Sequence, residues 1–268
     1  MVESGNFASN DNKLSYVYTG SERNTSGTGV IFVHAADGNR LGPHRMFVEF
    51  AQRLSHAGIA SMRFDMRGCG DSTGIISRDS IEPDIEDLVY GVRCFVARYD
   101  IKKLFLFGIS RGARVSFACL SQYDLPIDGA ILLSAPSPNI TAGVKSASYR
   151  LKEYFEKCKS PESLKKLIKG KIHFKQIVQT LTFAFNTGRR YRYKEHQNFA
   201  TKCPLLFIYG QKDPITTDAR VFYSDRCQKF EIPHSIIEIE NANHSFFHYK
   251  WKELIFEHAE KWFVDNLK

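Results

Sequence analysis

A chain of 268 residues, 43% hydrophobic and 25% charged, has the size and balance of one α/β domain carrying a small insertion. No run approaches the roughly 18 apolar residues that cross a bilayer, so stable membrane insertion is not expected; the formal charge of +8 comes with none of the usual nucleic-acid modules, so nucleic acid is not expected as a partner. The N-terminus has no basic stretch leading into an apolar one, which predicts no secretory leader and a cytoplasmic protein; the six cysteines are widely and irregularly spaced and read as reduced packing thiols, with neither a metal site nor a disulfide framework.

Residues 1–13 are polar and read as a flexible tail. Leu14 to Thr19 alternates and predicts a first strand. Gly29 to Val33 is a buried-strand run ending at His34. Phe47 to His56 places Phe47, Phe50, Ala51 and Leu54 at helical spacing, and Gly58 closes that helix. Ile59 to Phe64 is the next strand, and Ile85 to Tyr99 an amphipathic helix. Leu104 to Phe107 and Ala130 to Leu133 are strands on either side of a helix beginning near Ala113. Leu205 to Tyr209 is a further strand, Thr217 to Cys227 reads as a helix, Ser235 to Ile239 as a strand and Tyr249 to Asn266 as a last helix. Strands alternating with helices predict a mostly parallel sheet flanked by helices, with ligands outside the carboxyl ends of the strands.

The alternation breaks over 137–202. Two strands that one helix could join are separated there by a long segment with fifteen basic and four acidic residues, a charge of +11 against +8 for the whole chain. The core is therefore divided into 14–136 and 203–268, and the basic excess lies wholly in the insertion.

Gly108-Ile109-Ser110-Arg111-Gly112 lies between the strand at Leu104 and the helix at Ala113. Glycines on both sides of a serine admit a turn too tight for larger side chains and push the hydroxyl out above the sheet edge. A short pentad arises by chance, so its surroundings decide. Serine attack on a carbonyl needs a base and a carboxylate to orient that base. Asp213 follows the strand at Leu205, and His244 follows the strand at Ser235, which puts both at the edge that carries Ser110. Asp218 is a rival carboxylate expected inside the next helix; His248 opens the last helix, and His34 serves a different turn. Two backbone amides must also face the developing oxyanion. Arg111, directly after the serine, supplies one, and Ala36, in the loop after the early strand, is the choice for the other.

Val33-His34-Ala35-Ala36 resembles the His-Gly-x oxyanion loop of serine α/β-hydrolases. Arg63 to Ser72 is similar to their Asp-x-Arg-Gly-x-Gly-x-Ser turn. With the serine pentad, Asp213 and His244, the resemblance covers the chain apart from its tail and insertion. It looks most like the monoacylglycerol-lipase and serine-aminopeptidase-like branch; His44-Arg45 through Ser72 also resembles hydrolases associated with exopolysaccharide-export (exosortase) systems. The resemblance implies an α/β-hydrolase fold with 137–202 as a helical lid. Three departures stand out: Ala35 replaces the usual Gly, Cys69 replaces an aromatic or His, and Arg111 replaces Met or Gln. An arginine after the nucleophile either meets an acidic substrate group or turns away into a salt bridge.

These readings lead to a serine hydrolase cleaving an ester or thioester through an acyl-serine, with water completing the cycle and neither metal nor cofactor implied. An acyltransferase using the same triad is the alternative, and a non-catalytic binding protein on this fold a third. The basic insertion either steers an acidic partner such as an acyl carrier protein or acyl-CoA, helps binding at an anionic surface, or is a solvated face.

Overall fold

The computed structural model describes residues 1–20, 27–36, 38–77, 80–138 and 199–267. Contacts divide the chain into two units, Met1–Ser137 with Lys194–Lys268, and Pro138–Tyr193, and the sheet and its helices belong to the first. The expected lid falls, apart from its ends, outside the described residues.

Eight strands form one sheet: β1 (Val2–Ser9), β2 (Asn12–Thr19), β3 (Thr28–Val33), β4 (Ala60–Phe64), β5 (Lys103–Ile109), β6 (Gly129–Leu133), β7 (Leu205–Gly210) and β8 (His234–Ile239), in the spatial order β1-β2-β4-β3-β5-β6-β7-β8. The β1–β2 and β2–β4 pairs are antiparallel and the rest parallel. The described helices are α1 (Met46–His56), α2 (Glu82–Tyr99), α3 (Arg111–Gln122), α4 (Ala219–Lys229) and α5 (Tyr249–Asn266).

The period of two in the strands sorts side chains between two cores. Leu104 and Leu106 of β5, Ala130 and Leu132 of β6, and Leu205 and Phe207 of β7 face the side covered by α2, α3 and α4. Their neighbours Phe105, Phe107, Ile131, Leu133, Leu206 and Ile208 face the side covered by α1 and α5. Both faces being buried explains why these strands read as continuous apolar runs rather than alternating ones. Helix α1 ends as its sequence predicts: Gly58, at φ 85°, lets its own amide reach Ser55 O (3.2 Å) and the Ile59 amide reach Leu54 O (2.9 Å).

The reading of 1–13 as a tail is corrected by β1. Val2–Ser9 pairs along its whole length with β2 through a two-residue turn, Asn10-Asp11, in which Asn10 takes φ 50°. Phe7 packs edge-on to Phe64 at 5.5 Å, and Ser9 Oγ donates to the buried Asp87 carboxylate at 2.6 Å. Gly5 is needed under the Tyr16 ring, since a Cβ there would lie 2.7 Å from the Tyr16 hydroxyl. Polar composition hid a strand whose anchors are one phenylalanine and one hydrogen-bonded serine.

Candidate active site

Strand β5 runs straight into α3 through Ser110, which adopts φ 54°, ψ −120°. That region is costly for a residue with a Cβ and persists only where the surroundings enforce it. The enforcement comes from close backbone packing. A Cβ on Gly108 would meet Gly112 O at 2.8 Å, and one on Gly112 would meet Val33 O at 2.1 Å. The first turn of α3 thus lies directly against the end of β3, where the Ala35–Ala36 loop begins. Ser110 N donates to Leu133 O (2.8 Å), tying the elbow to β6. We expect Gly112→Ala to cost about 1–3 kcal/mol by overpacking. It should also lower turnover, because the only relief is to part α3 from the β3 loop; urea unfolding and steady-state kinetics check both.

Asp213 and His244 come from the loops after β7 and β8, and these two loops are locked together. Lys212 N donates to Ala242 O (2.8 Å), Gln211 N to Ile239 O (3.0 Å) and Asn241 N to the Gln211 side-chain oxygen (3.0 Å). Gly210 allows the approach, since its Cβ would sit 2.6 Å from Ala242 O. The result is a continuous relay: His244 Nδ1 lies 2.7 Å from Asp213 Oδ2, and His244 Nε2 lies 2.8 Å from Ser110 Oγ. A carboxylate only accepts, so Nδ1 carries the proton and Nε2 is left to accept from the serine hydroxyl. The Asp213 side chain is fully buried while His244 keeps 24% exposure, so the ring is open to solvent and the carboxylate is not. Burial pushes the Asp213 carboxyl up, but the His244 hydrogen bond and charge and the Ile215 amide outweigh it and hold it below the usual range.

The other sequence candidates sort cleanly. Asp218 flanks α4 at the cap position, not inside it, and is exposed. His248 caps α5 and accepts from Lys250 N. His34 is buried, with Nε2 accepting from Met66 N (3.0 Å) and Nδ1 donating to Ala35 O (2.8 Å). Burial lowers its pKa, which suits a neutral ring holding the Ala35–Ala36 loop against the turn after β4. The amides of Ala36 and Arg111 donate to no carbonyl among the described residues. Arg111 opens α3, where the amide has no partner within the helix.

The Arg111 side chain turns away from the serine. Its Nε donates to Asp84 Oδ2 (2.5 Å), and Nη2 donates to Ser77 O (2.8 Å) and Ser80 O (2.7 Å). Asp84, in the first turn of α2, went unnoticed in the sequence; its only local signal is the preceding Pro83 at the helix start. Burial raises the Asp84 carboxyl, and the Arg111 guanidinium counters it. Arg111→Met leaves that carboxylate, 5% exposed, without its partner, and should cost about 3–5 kcal/mol in urea unfolding. Arg111→Met with Asp84→Leu should recover most of the loss.

Among the described residues no helix is long and apolar enough to cross a membrane, and no group of three His, Cys, Asp or Glu side chains could hold a metal.

The lysophosphatidylserine lipase ABHD12 of Rattus norvegicus is 26% identical over 190 residues, 69% of this chain and 42% of that protein. The esterase EstD of Thermotoga maritima is 21% identical over 249 residues, 88% of this chain and 59% of that protein. The chain thus spans about half the length of these relatives. The solved esterase Pf2001 of Pyrococcus furiosus superposes with a TM-score of 0.69 at 23% identity, covering 98% of this chain and 91% of the other. The α/β hydrolase GrgF of Penicillium sp. sh18 gives 0.70 at 15%, covering 100% and 98%. Both place the sheet and its helices in the α/β-hydrolase fold. Residues 42–248, which hold the elbow, both triad loops and the turn after β4, match the profile of serine aminopeptidase, S33. The chain belongs to that family, within the serine α/β-hydrolases.

Proposed function

We propose that this protein hydrolyses carboxylic esters through an acyl-Ser110 intermediate. Ser110 attacks the carbonyl, His244 takes the hydroxyl proton and returns it to the leaving alcohol, and Asp213 holds His244 in the tautomer that can do so. The Ala36 and Arg111 amides bind the tetrahedral oxyanion. Water then attacks the acyl-enzyme with His244 again as base. The observation that carries this reading is the Asp213–His244–Ser110 relay at 2.7 and 2.8 Å on a strained elbow. The names of the relatives, a lipase and an esterase, support the ester bond as the one cleaved.

A fluorophosphonate probe tests the reading directly. Wild-type protein should be labelled at Ser110 and should hydrolyse p-nitrophenyl esters. Absence of labelling with Ser110 accessible overturns it. Product formed only with an alcohol or amine acceptor would make the protein an acyltransferase on the same triad.

The +11 charge of 137–202 favours a finer reading, a thioester or ester presented on an acidic carrier such as an acyl carrier protein or coenzyme A. Charge reversal of Lys165, Lys166 and Lys169 should then lower kcat/KM for a carrier-bound acyl group about tenfold and leave a neutral p-nitrophenyl ester unchanged. Equal effects on both substrates sink the carrier reading.

A further inference from the structure

The direction of a backbone amide is set by the carbonyl that shares its peptide unit. In a trans peptide the C=O of one residue and the N–H of the next lie in one rigid plane and point opposite ways. The chain has no cis peptide bond among the described residues. Fixing Ala35 O therefore fixes the line of the Ala36 N–H. Two donors hold that oxygen: His34 Nδ1 at 2.8 Å and Gly38 N at 3.1 Å. The Gly38 bond closes a turn with Ala36 in its second position, where the N–H is left free. A Cβ on Gly38 would lie 3.0 Å from Ala35 O and 3.4 Å from His34 Nδ1, so ring, carbonyl and turn are in close contact. Asp37, the third residue of the turn, lies outside the described residues.

The ring is held from its far side as well. Its Nε2 lies 3.0 Å from Met66 N. An amide only donates and a carbonyl only accepts, so His34 has a single tautomer, with its proton on Nδ1. Met66 belongs to a turn that is fixed independently. Asp65 N donates to Ser15 O (2.9 Å) and Cys69 N to Met66 O (3.0 Å). The buried Asp65 carboxylate accepts from Asp71 N (3.0 Å) and Arg40 N (2.6 Å), and the Arg40 bond ties the far end of the loop after β3 to the same turn. The backbone of His34 also touches the helix that carries the second donor. A Cβ on Gly112 would lie 2.5 Å from His34 O, so the first turn of α3, which begins at Arg111, packs directly on His34.

We propose that His34 is a positioning residue for ester hydrolysis: through the Ala35 carbonyl it aims the Ala36 amide at the oxyanion. The inference rests on the acyl-Ser110 reading and adds to it a residue that acts through the backbone, its ring being 2% exposed. The two ring bonds then have different tasks. The Nδ1 bond aims the amide, and the Nε2 bond anchors the ring and contributes to stability.

Three replacements separate these tasks. Asparagine places an N–H donor where Nδ1 stood and is too short for Met66. Glutamine places an oxygen where Nε2 stood and can accept from Met66 N. Leucine does neither. Rates are taken per site titrated by the fluorophosphonate. His34→Leu should lower kcat for a p-nitrophenyl ester about a hundredfold with KM little changed, the low end of what losing one oxyanion donor costs. Its affinity for a trifluoromethyl ketone, whose adduct with serine carries the oxyanion, should fall by a like factor. His34→Asn should return to within about fivefold of wild type, and His34→Gln should stay near the leucine variant. In urea the order reverses, because glutamine keeps the Met66 bond and asparagine leaves that amide unsatisfied. A ring that only props the loop makes activity follow stability, with glutamine ahead of asparagine in both, and that result overturns the proposal. So does a His34→Leu protein as active per titrated site as wild type, or a loss of kcat with ketone affinity unchanged. Nitrogen-15 NMR of histidine-labelled wild-type protein reads the tautomer without reference to catalysis. The ring signals that His34→Asn removes should be those of a neutral imidazole protonated at Nδ1, and protonation at Nε2 overturns the proposal. Wild-type protein that is neither labelled nor active brings down the ester reading and this proposal with it; every other failure falls on this proposal alone.

Discussion

Ser110→Ala lowers kcat for a p-nitrophenyl ester about a million-fold, with KM changed little. The size follows from the role proposed for the hydroxyl: without it there is no acyl-enzyme, and His244 has no proton to take. What survives is the stabilisation from the two amides and from substrate positioning, about 10³–10⁴ over the reaction in water. Alanine is the informative replacement because it keeps the Cβ. Ser110 sits at φ 54°, so alanine inherits the same strain, and the Ser110 amide still bonds Leu133 O. Unfolding in urea should therefore match wild type, which separates a lost nucleophile from a collapsed elbow. Fluorophosphonate labelling must vanish in the variant. A variant that keeps measurable turnover through a covalent intermediate would mean another residue is acylated, and the relay would then need another explanation.

The elbow was legible in the sequence because its constraints are local. Two glycines four residues apart around a serine can be seen without knowing the fold, and the structure supplies their contacts: Gly108 against the first turn of α3, Gly112 against the end of β3. The order serine, aspartate, histidine was legible because each residue falls in the turn or loop after a strand-like run, buried and apolar before Ser110 and Asp213 and a partly exposed edge strand before His244. The failures are all non-local. Strand β1 is held by Phe7 against Phe64 and by Ser9 against Asp87, and nothing within residues 1–13 announces partners so far along the chain. The direction of Arg111 was left open between substrate and salt bridge; Asp84, brought across by the packing of α2 beside α3, decides it.

Asp213→Asn should lower kcat about ten-thousand-fold and leave the fold intact. The structure dictates which way the new amide points. Ile215 N donates to Asp213 Oδ1 at 3.0 Å, and that bond will hold the carbonyl oxygen of an asparagine in the same place. The amide NH₂ is then presented to His244 Nδ1. A donor facing Nδ1 forces that nitrogen to accept, moves the ring proton to Nε2, and leaves no lone pair for the Ser110 hydroxyl. The loss is thus one of tautomer, and it should appear in kcat with KM little affected. Stability carries a second signature. The Asp213 carboxyl is held below its ordinary range, mainly by His244 against the opposing effect of burial. A group with a lowered folded pKa contributes stability above its unfolded pKa of about 3.9 and loses it as pH falls through the folded value. The wild-type advantage over Asp213→Asn in urea unfolding should therefore be present at pH values above about 4 and shrink below it. An advantage that failed to shrink below about pH 4 would mean the carboxylate is stabilised by something other than its charge, and the orienting role given to Asp213 would fall with it.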